Sequence, residues 1–156
     1  MLPLEQLHPV AVHFPIVLTL SLAVLDIIAY SRGVRLGGRG AYANLSAGIA
    51  TAAGLFALVA FFLGDAAIDI AISRKIDPAI LETHQDLGMF TAFALAAWGA
   101  LRAYAWWRKI DLSANRAYLV LAVEVAFVFL ILTVAYFGGQ LVYDFGVNVA
   151  PALAKP

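Results

Sequence analysis

Four long apolar runs constrain this chain more than any other feature of its sequence. They cover residues 10–30, 41–64, 87–107 and 117–137. About 20 mostly apolar residues cross the hydrocarbon core of a bilayer as a helix. A soluble domain of 156 residues cannot bury a chain that is 63% hydrophobic and only 13% charged. The sequence therefore predicts an all-α integral membrane protein, folded as a single four-helix transmembrane bundle over residues 1–156.

Charge and cysteine content exclude several classes of function. The formal net charge is zero, so the chain has no basic patch of the kind that binds nucleic acid, and the predicted partner is the lipid bilayer. Cysteine is absent, which excludes disulfides, iron–sulfur clusters and covalently attached c-type haem. Serine and threonine are scattered and form no nucleophile–base constellation. We therefore do not expect the chain to be an enzyme by itself.

The distribution of lysine and arginine predicts which ends of the helices face the cytoplasm. Seven cations lie in or beside the first and third connections, and three lie on the opposite side. The seven are Arg32, Arg35, Arg39, Arg102, Arg108, Lys109 and Arg116, and the three are Arg74, Lys75 and Lys155. Short cytoplasmic loops retain lysine and arginine. Both termini are therefore predicted to lie on the outer side of a membrane that the chain crosses several times.

Three charged residues fall within the apolar runs. Asp26 lies in the first run, Arg102 in the third and Glu124 in the fourth, all in the half predicted to be cytoplasmic. An isolated ion at bilayer depth is costly and usually turns inward to a partner. We therefore expect Arg102 to pair with Asp26 or Glu124, either as a structural lock or as part of a proton path.

The three histidines of the chain suggest a cofactor site near the outer face. His13 begins the first run and His84 precedes the third, so their imidazoles are expected at nearly the same depth. Two neutral imidazoles that face each other across a bundle can take both axial positions of a b-type haem, with no cysteine and no local motif. Two alternatives remain open, a zinc or copper site and a pair of interfacial histidines without a metal. Further ligands of zinc or copper would be Asp86, Glu82 or His8.

Other residues are expected to complete a haem site around this pair. His8 precedes Pro9 outside the first run, so it is expected only as a substitute ligand or a propionate partner. Gly88, Gly138 and Gly139 would leave space along the macrocycle. Arg74 and Lys75, in the outer connection, would pair with the propionates. Tyr143 would cap the site or anchor it at the interface.

Both ends of the sequence carry extended motifs. The chain opens with His8-Pro9-x-x-Val12-His13-Phe14-Pro15-Ile16 and ends with Gly138-Gly139-x-Leu141-Val142-Tyr143-x-x-Gly146-Val147-x-Val149. With Asp26 and His84 between them, these motifs resemble the bacterial membrane proteins catalogued as domain of unknown function 2231, along essentially the whole chain. The resemblance implies a four-helix inner-membrane module that is sometimes joined to Rieske-type iron–sulfur or c-type cytochrome domains, and hence a redox context.

The histidine pair and the resemblance together favour a small b-type cytochrome-like subunit that passes single electrons. It would act between quinol and a periplasmic carrier, or with other membrane or periplasmic redox subunits inside a larger complex. Two alternatives from other classes remain open. One is a cofactor-free structural or assembly subunit, and the other is a metal or proton transporter whose path would be formed by Asp26, Glu124 and Arg102.

The predicted orientation can be tested directly, because the chain has no cysteine of its own. We expect Ala154→Cys to react with a membrane-impermeant thiol reagent from outside the cell. Gly38→Cys, in the first connection, should react only after the cytoplasmic side has been opened. Labelling of Gly38→Cys from outside would overturn the orientation.

Overall fold

The computed structural model of the protein describes residues 4–73, 75–112 and 115–147, and all regular structure in these ranges is helical. The all-α fold expected from the sequence is thus confirmed. A short helix leads into the first of four long helices. In chain order the helices are α1 (Leu4–Ala11), α2 (His13–Ser31), α3 (Ala41–Ser73), α4 (Pro78–Trp107) and α5 (Asn115–Tyr143).

Helices α1 and α2 follow each other with only a local break at Val12. The backbone N–H of Val12 donates to the carbonyl of His8 at 3.0 Å, so helical hydrogen bonding continues across the break. Pro9 is the sixth of the eight residues of α1, so it removes one backbone N–H donor from the inside of the helix without ending it. The expectation that His8 lies outside the first helix and must fold back is therefore wrong, because Pro9 does not end the helix.

Three helical segments are long and apolar enough to cross a membrane, as judged by length and composition. They are Gln6–Ser31, Ala41–Ser73 and Asn115–Tyr143. Helix α4 has 30 residues but is less apolar, because it contains Arg102 and, towards its start, acidic and amide side chains. Large apolar side chains are exposed on the outside of the bundle, among them Phe90, Leu119 and Phe129 at 63–68%. Helices that are apolar on both their inner and outer faces are typical of a membrane environment.

The four long helices form a closed ring in chain order. Contacts join α2 to α3, α3 to α4, α4 to α5 and α5 back to α2, and α1 packs on α3. The short connections make successive helices antiparallel, so α2 and α4 run in the same direction at opposite corners. We call the end of the bundle that contains α1 and the α3–α4 connection the histidine end. The opposite end, with the connections around residues 32–40 and 108–112, is called the loop end.

Small residues allow α3 and α4 to approach closely. A Cβ atom on Gly54 would lie 2.7 Å from the carbonyl oxygen of Leu95, and one on Gly99 would lie 2.7 Å from the carbonyl oxygen of Ala50. Close backbone approach through small residues is a common way for helices to associate in membranes. The small residues that recur every three or four positions along α3 are therefore a packing surface. They are Ala43, Ala47, Ala50, Gly54 and Ala57, all buried.

Buried apolar side chains form three layers between the histidine end and the loop end. The first contains Ala71, Leu81 and Leu141, the second contains Ala57, Ala92, Leu95 and Ile131, and the third contains Ala29, Leu36, Ala117 and Val120. Polar groups occupy the two spaces between these layers. A cavity with the histidines lies between the first and second layers, and an ionic cluster lies between the second and third.

Candidate functional site

A cavity of about 430 Å³ lies at the histidine end of the bundle. All five helices contribute to its wall, and all three histidines line it. Most of the wall is apolar, with Phe61, Leu95 and Ile131 among the larger side chains, and Gln85 and Thr91 are among the few polar ones. A mostly apolar cavity with a few polar groups, in the range of about 300–1,000 Å³, is typical of small-molecule and cofactor sites.

His8 of α1 and His84 of α4 lie next to each other in this cavity. Their ring centroids are 6.2 Å apart, and their planes are inclined by 76°. Nδ1 of His8 lies 2.8 Å from the carbonyl oxygen of Ala60, and Nδ1 of His84 lies 3.2 Å from that of Val134. Because a carbonyl oxygen only accepts, each Nδ1 must carry the proton. Each neutral ring therefore keeps its lone pair on Nε2, the form that binds metals.

Each of these rings also packs against a glycine of the helix that supplies its carbonyl partner. A Cβ atom on Gly64 would lie 2.8 Å from Cε1 of His8, and one on Gly138 would lie 2.9 Å from Cε1 of His84. In both cases the glycine follows the carbonyl acceptor by four residues, about one helical turn. We call these two arrangements, Ala60 with Gly64 and Val134 with Gly138, the histidine seats. The carbonyl orients the ring, and the missing Cβ gives it room.

The surroundings of His84 favour its neutral form. His84 precedes the apolar run 87–107 and is partly buried. The apolar wall of the cavity and the neighbouring imidazole of His8 both disfavour a charged ring at His84. The neutral ring is the form that ligation of a metal requires.

His13, the residue expected to pair with His84, occupies a different position. It lines the cavity wall, but its side chain is exposed, and its Nδ1 lies 2.6 Å from the carbonyl oxygen of Pro9 one turn earlier. His8, five residues before it, makes the ring contact with His84 instead. The structure thus brings together two of the three predicted histidines, with His8 in the place expected for His13.

The other residues predicted for the site are distributed around the cavity. Gly88, Gly139 and Tyr143 line it, and a Cβ atom on Gly88 would meet nothing within 4 Å. Tyr143 is 88% exposed, which suits an interfacial position. Gly138 contacts the ring of His84 itself. Lys75 is exposed in the α3–α4 connection and is not part of the cavity wall, and Arg74 lies outside the described residues.

A bare metal ion would need more protein ligands than these two rings. In the described part of the chain, no group of three or more His, Cys, Asp or Glu side chains is placed to hold a metal ion. Glu82 and Asp86, considered above as further zinc or copper ligands, are exposed and do not line the cavity. Protein zinc sites use three or four protein ligands.

The second polar region is a buried ionic cluster that contains one residue from each long helix. Asp26, Ser46, Arg102 and Glu124 are each no more than 3% exposed. Nη1 of Arg102 donates to Oδ2 of Asp26 at 2.9 Å and to Oε1 of Glu124, and Nη2 donates to Oγ of Ser46. Ser46 Oγ in turn donates to Oδ2 of Asp26 at 2.9 Å. The predicted pairing of Arg102 is confirmed, with both carboxyl groups instead of one.

These features define an α-helical membrane protein with paired histidines in a cavity at one end and an ionic cluster towards the other. The chain belongs to the family described as predicted membrane protein (DUF2231), which it matches over residues 5–151. The matched range contains His8, His84 and the whole ionic cluster, and it confirms the resemblance drawn from the two end motifs. No match to the chain is found among curated proteins or among solved structures.

Removal of Arg102 should destabilise the bundle strongly. Arg102→Ala would leave two buried carboxyl groups without their counter-ion, and breaking a buried ion pair by removing one partner costs about 3–5 kcal/mol. The free energy of unfolding in detergent micelles measures this loss. Arg35→Ala removes an exposed arginine and is the matched control, with an expected change within about 0.5 kcal/mol. Equal stability of the two variants would contradict a structural role for Arg102.

Proposed function

We propose that this chain is a membrane b-type cytochrome-like subunit that transfers single electrons, with His8 and His84 as the two axial ligands of one haem. The observation that carries the proposal is the distance between the two rings. With a metal–imidazole bond of about 2 Å and a ring centroid about 1 Å behind its nitrogen, two rings on opposite sides of one ion have centroids about 6 Å apart. The centroids of His8 and His84 are 6.2 Å apart.

The histidine seats support this assignment because they hold both rings through the nitrogen that does not bind metal. A metal-ligating histidine almost always donates its other N–H to a carbonyl, carboxylate or water, which fixes the ring and raises its basicity as a ligand. The carbonyls of Ala60 and Val134 provide this interaction for His8 and His84. Gly64 and Gly138 let each ring lie against the backbone of the neighbouring helix. Both rings are thus held in place by backbone groups of α3 and α5.

The wall of the cavity suits a large apolar ring system. Apolar side chains such as Phe61 and Ile131 would exclude water, and the hydroxyl of Thr91 already donates to the carbonyl of Leu87 on its own helix at 2.6 Å. Gly88 leaves open space one turn after His84. When bound, haem would supply a one-electron carrier, and the apolar surroundings and the carbonyl hydrogen bonds would set its potential.

A carrier of this kind would act with partners that supply and accept electrons. We propose four spans in a bacterial inner membrane, with α4 as the fourth, and the histidine end at the outer face. Quinol and periplasmic or membrane redox subunits would then be the exchange partners. Aromatic and cationic side chains at the loop end fit a position at lipid headgroups. Arg39 lies 4.5 Å above the ring of Trp106, whose Nε1 donates to Asn44 at 2.8 Å.

The absorption spectrum of the purified protein tests the proposal. Protein expressed with an ample supply of haem should show a Soret band and the visible bands of a low-spin bis-histidine haem. His8→Ala and His84→Ala should each abolish the low-spin spectrum, because each leaves one axial position without its ligand. Both variants should still insert into the membrane, since neither ring belongs to the ionic cluster.

His13→Ala is the matched control for this experiment. It removes a histidine from the same cavity wall, but one that does not contact His84, so the low-spin spectrum should remain. Loss of the spectrum in His13→Ala with retention in His8→Ala would reject the assignment of His8. A wild-type protein without a Soret band under these conditions would reject haem binding, and the cofactor-free subunit would take its place.

A further inference from the structure

The buried ionic cluster contains one more acidic group than basic groups. Two carboxyl groups, on Asp26 of α2 and Glu124 of α5, share the single guanidinium of Arg102 on α4. Helix α3 contributes only the neutral Ser46. With both carboxyl groups ionised, the cluster would have a net charge of −1 in a region that is at most 3% exposed. An unpaired charge at such a position is very costly, and one bound proton would remove it.

The hydrogen bonds indicate which carboxyl group holds this proton. Oδ2 of Asp26 accepts from Ser46 and from Arg102, both at 2.9 Å, so the negative charge of Asp26 is well compensated. Glu124 accepts from Arg102 through Oε1, and the ring of Trp98, whose buried N–H has no partner within the described residues, lies 5.9 Å from the guanidinium carbon of Arg102. Oε2 of Glu124 and Oδ1 of Asp26 are buried and have no hydrogen-bond partner within the described residues. A proton on Oε2 would supply a donor, and Oδ1 of Asp26 is the acceptor the cluster has left.

A small cavity lies between the ionic cluster and the loop end. This cavity of about 10 Å³ lies beside Arg102 and is lined by residues of both connections, among them Gly37, Gly38 and Leu112. That volume is close to what a single water molecule needs. By contrast, no residue of the ionic cluster lines the histidine cavity. The apolar layer with Leu95 and Ile131 lies between the two regions.

We propose that the ionic cluster is a binding site for one proton, held by Glu124 and directed towards Asp26, which exchanges with water at the loop end. Binding adds a proton from water to the carboxylate of Glu124 and changes no other bond. The site is independent of the haem proposed above, because it uses none of the residues of the histidine cavity. In addition to its structural role, the cluster would change its net charge between zero and −1 as the proton is bound and released.

Infrared spectroscopy of the purified protein tests the proposal. Wild-type protein at neutral pH should show the C=O stretching band of one buried protonated carboxyl group, shifted in D2O. Glu124→Gln should lose this band and remain folded, because the amide is neutral and offers an N–H donor at the same place. Asp26→Asn should lose it too, because Glu124 would then face Arg102 alone and ionise. Glu82→Gln, which changes an exposed carboxyl group of α4, should leave the band unchanged.

Two results would overturn the proton site. One is the absence of the band from the wild-type protein, and the other is its persistence in Glu124→Gln or in Asp26→Asn.

The route is tested by filling the small cavity. Ala43→Val narrows it and should slow hydrogen–deuterium exchange of the band severalfold, whereas Ala57→Val, in the wall of the histidine cavity, should not. Equal exchange rates in the two variants would reject a route through the loop end.

Discussion

The guanidinium group of Arg102 connects the four long helices at one level of the bundle. It donates to Asp26, Ser46 and Glu124, one residue from each of the other three helices. Lipid tails are as apolar as leucine, so apolar contacts between membrane helices do little to fix how far one helix is shifted along another. A buried charge with a single arrangement of partners does fix it, because any shift would leave ions unpaired at high cost. The relative heights of the helices therefore depend on this cluster.

The spacing of residues along the helices also sets the relative heights of the groups in the histidine cavity. His8 precedes Asp26 by eighteen residues, and His84 precedes Arg102 by the same number. Eighteen residues correspond to about five turns and about 27 Å, so the two ends of each interval lie on the same helix face. Because α2 and α4 run in the same direction, the pairing of Asp26 with Arg102 places both histidines at one depth. Ser46 and Gly64 are also eighteen residues apart, on α3, which brings a histidine seat to that level.

Much of this arrangement can be predicted from the sequence, because hydropathy specifies membrane helices and the cost of an isolated ion specifies that Arg102 has a partner. The identity of the second cavity ligand is harder to predict. Pro9 suggests that the first membrane helix starts after His8. Only the eighteen-residue spacing between His8 and Asp26 indicates that these two residues lie on the same face of that helix. Gly64 gives no signal of its own, since a glycine at the end of an apolar run is typical of ordinary helix packing. Its contact with His8 depends on which helices are neighbours.

In the proposed function, His8 and His84 ligate one haem in the orientation that the histidine seats impose. Electron paramagnetic resonance of the oxidised protein tests it most directly. The ring planes are inclined by 76°, so we expect a low-spin ferric signal of the strongly anisotropic kind that nearly perpendicular axial imidazoles produce. A high-spin ferric signal, a low-spin signal typical of parallel imidazoles, or no haem signal at all would contradict it.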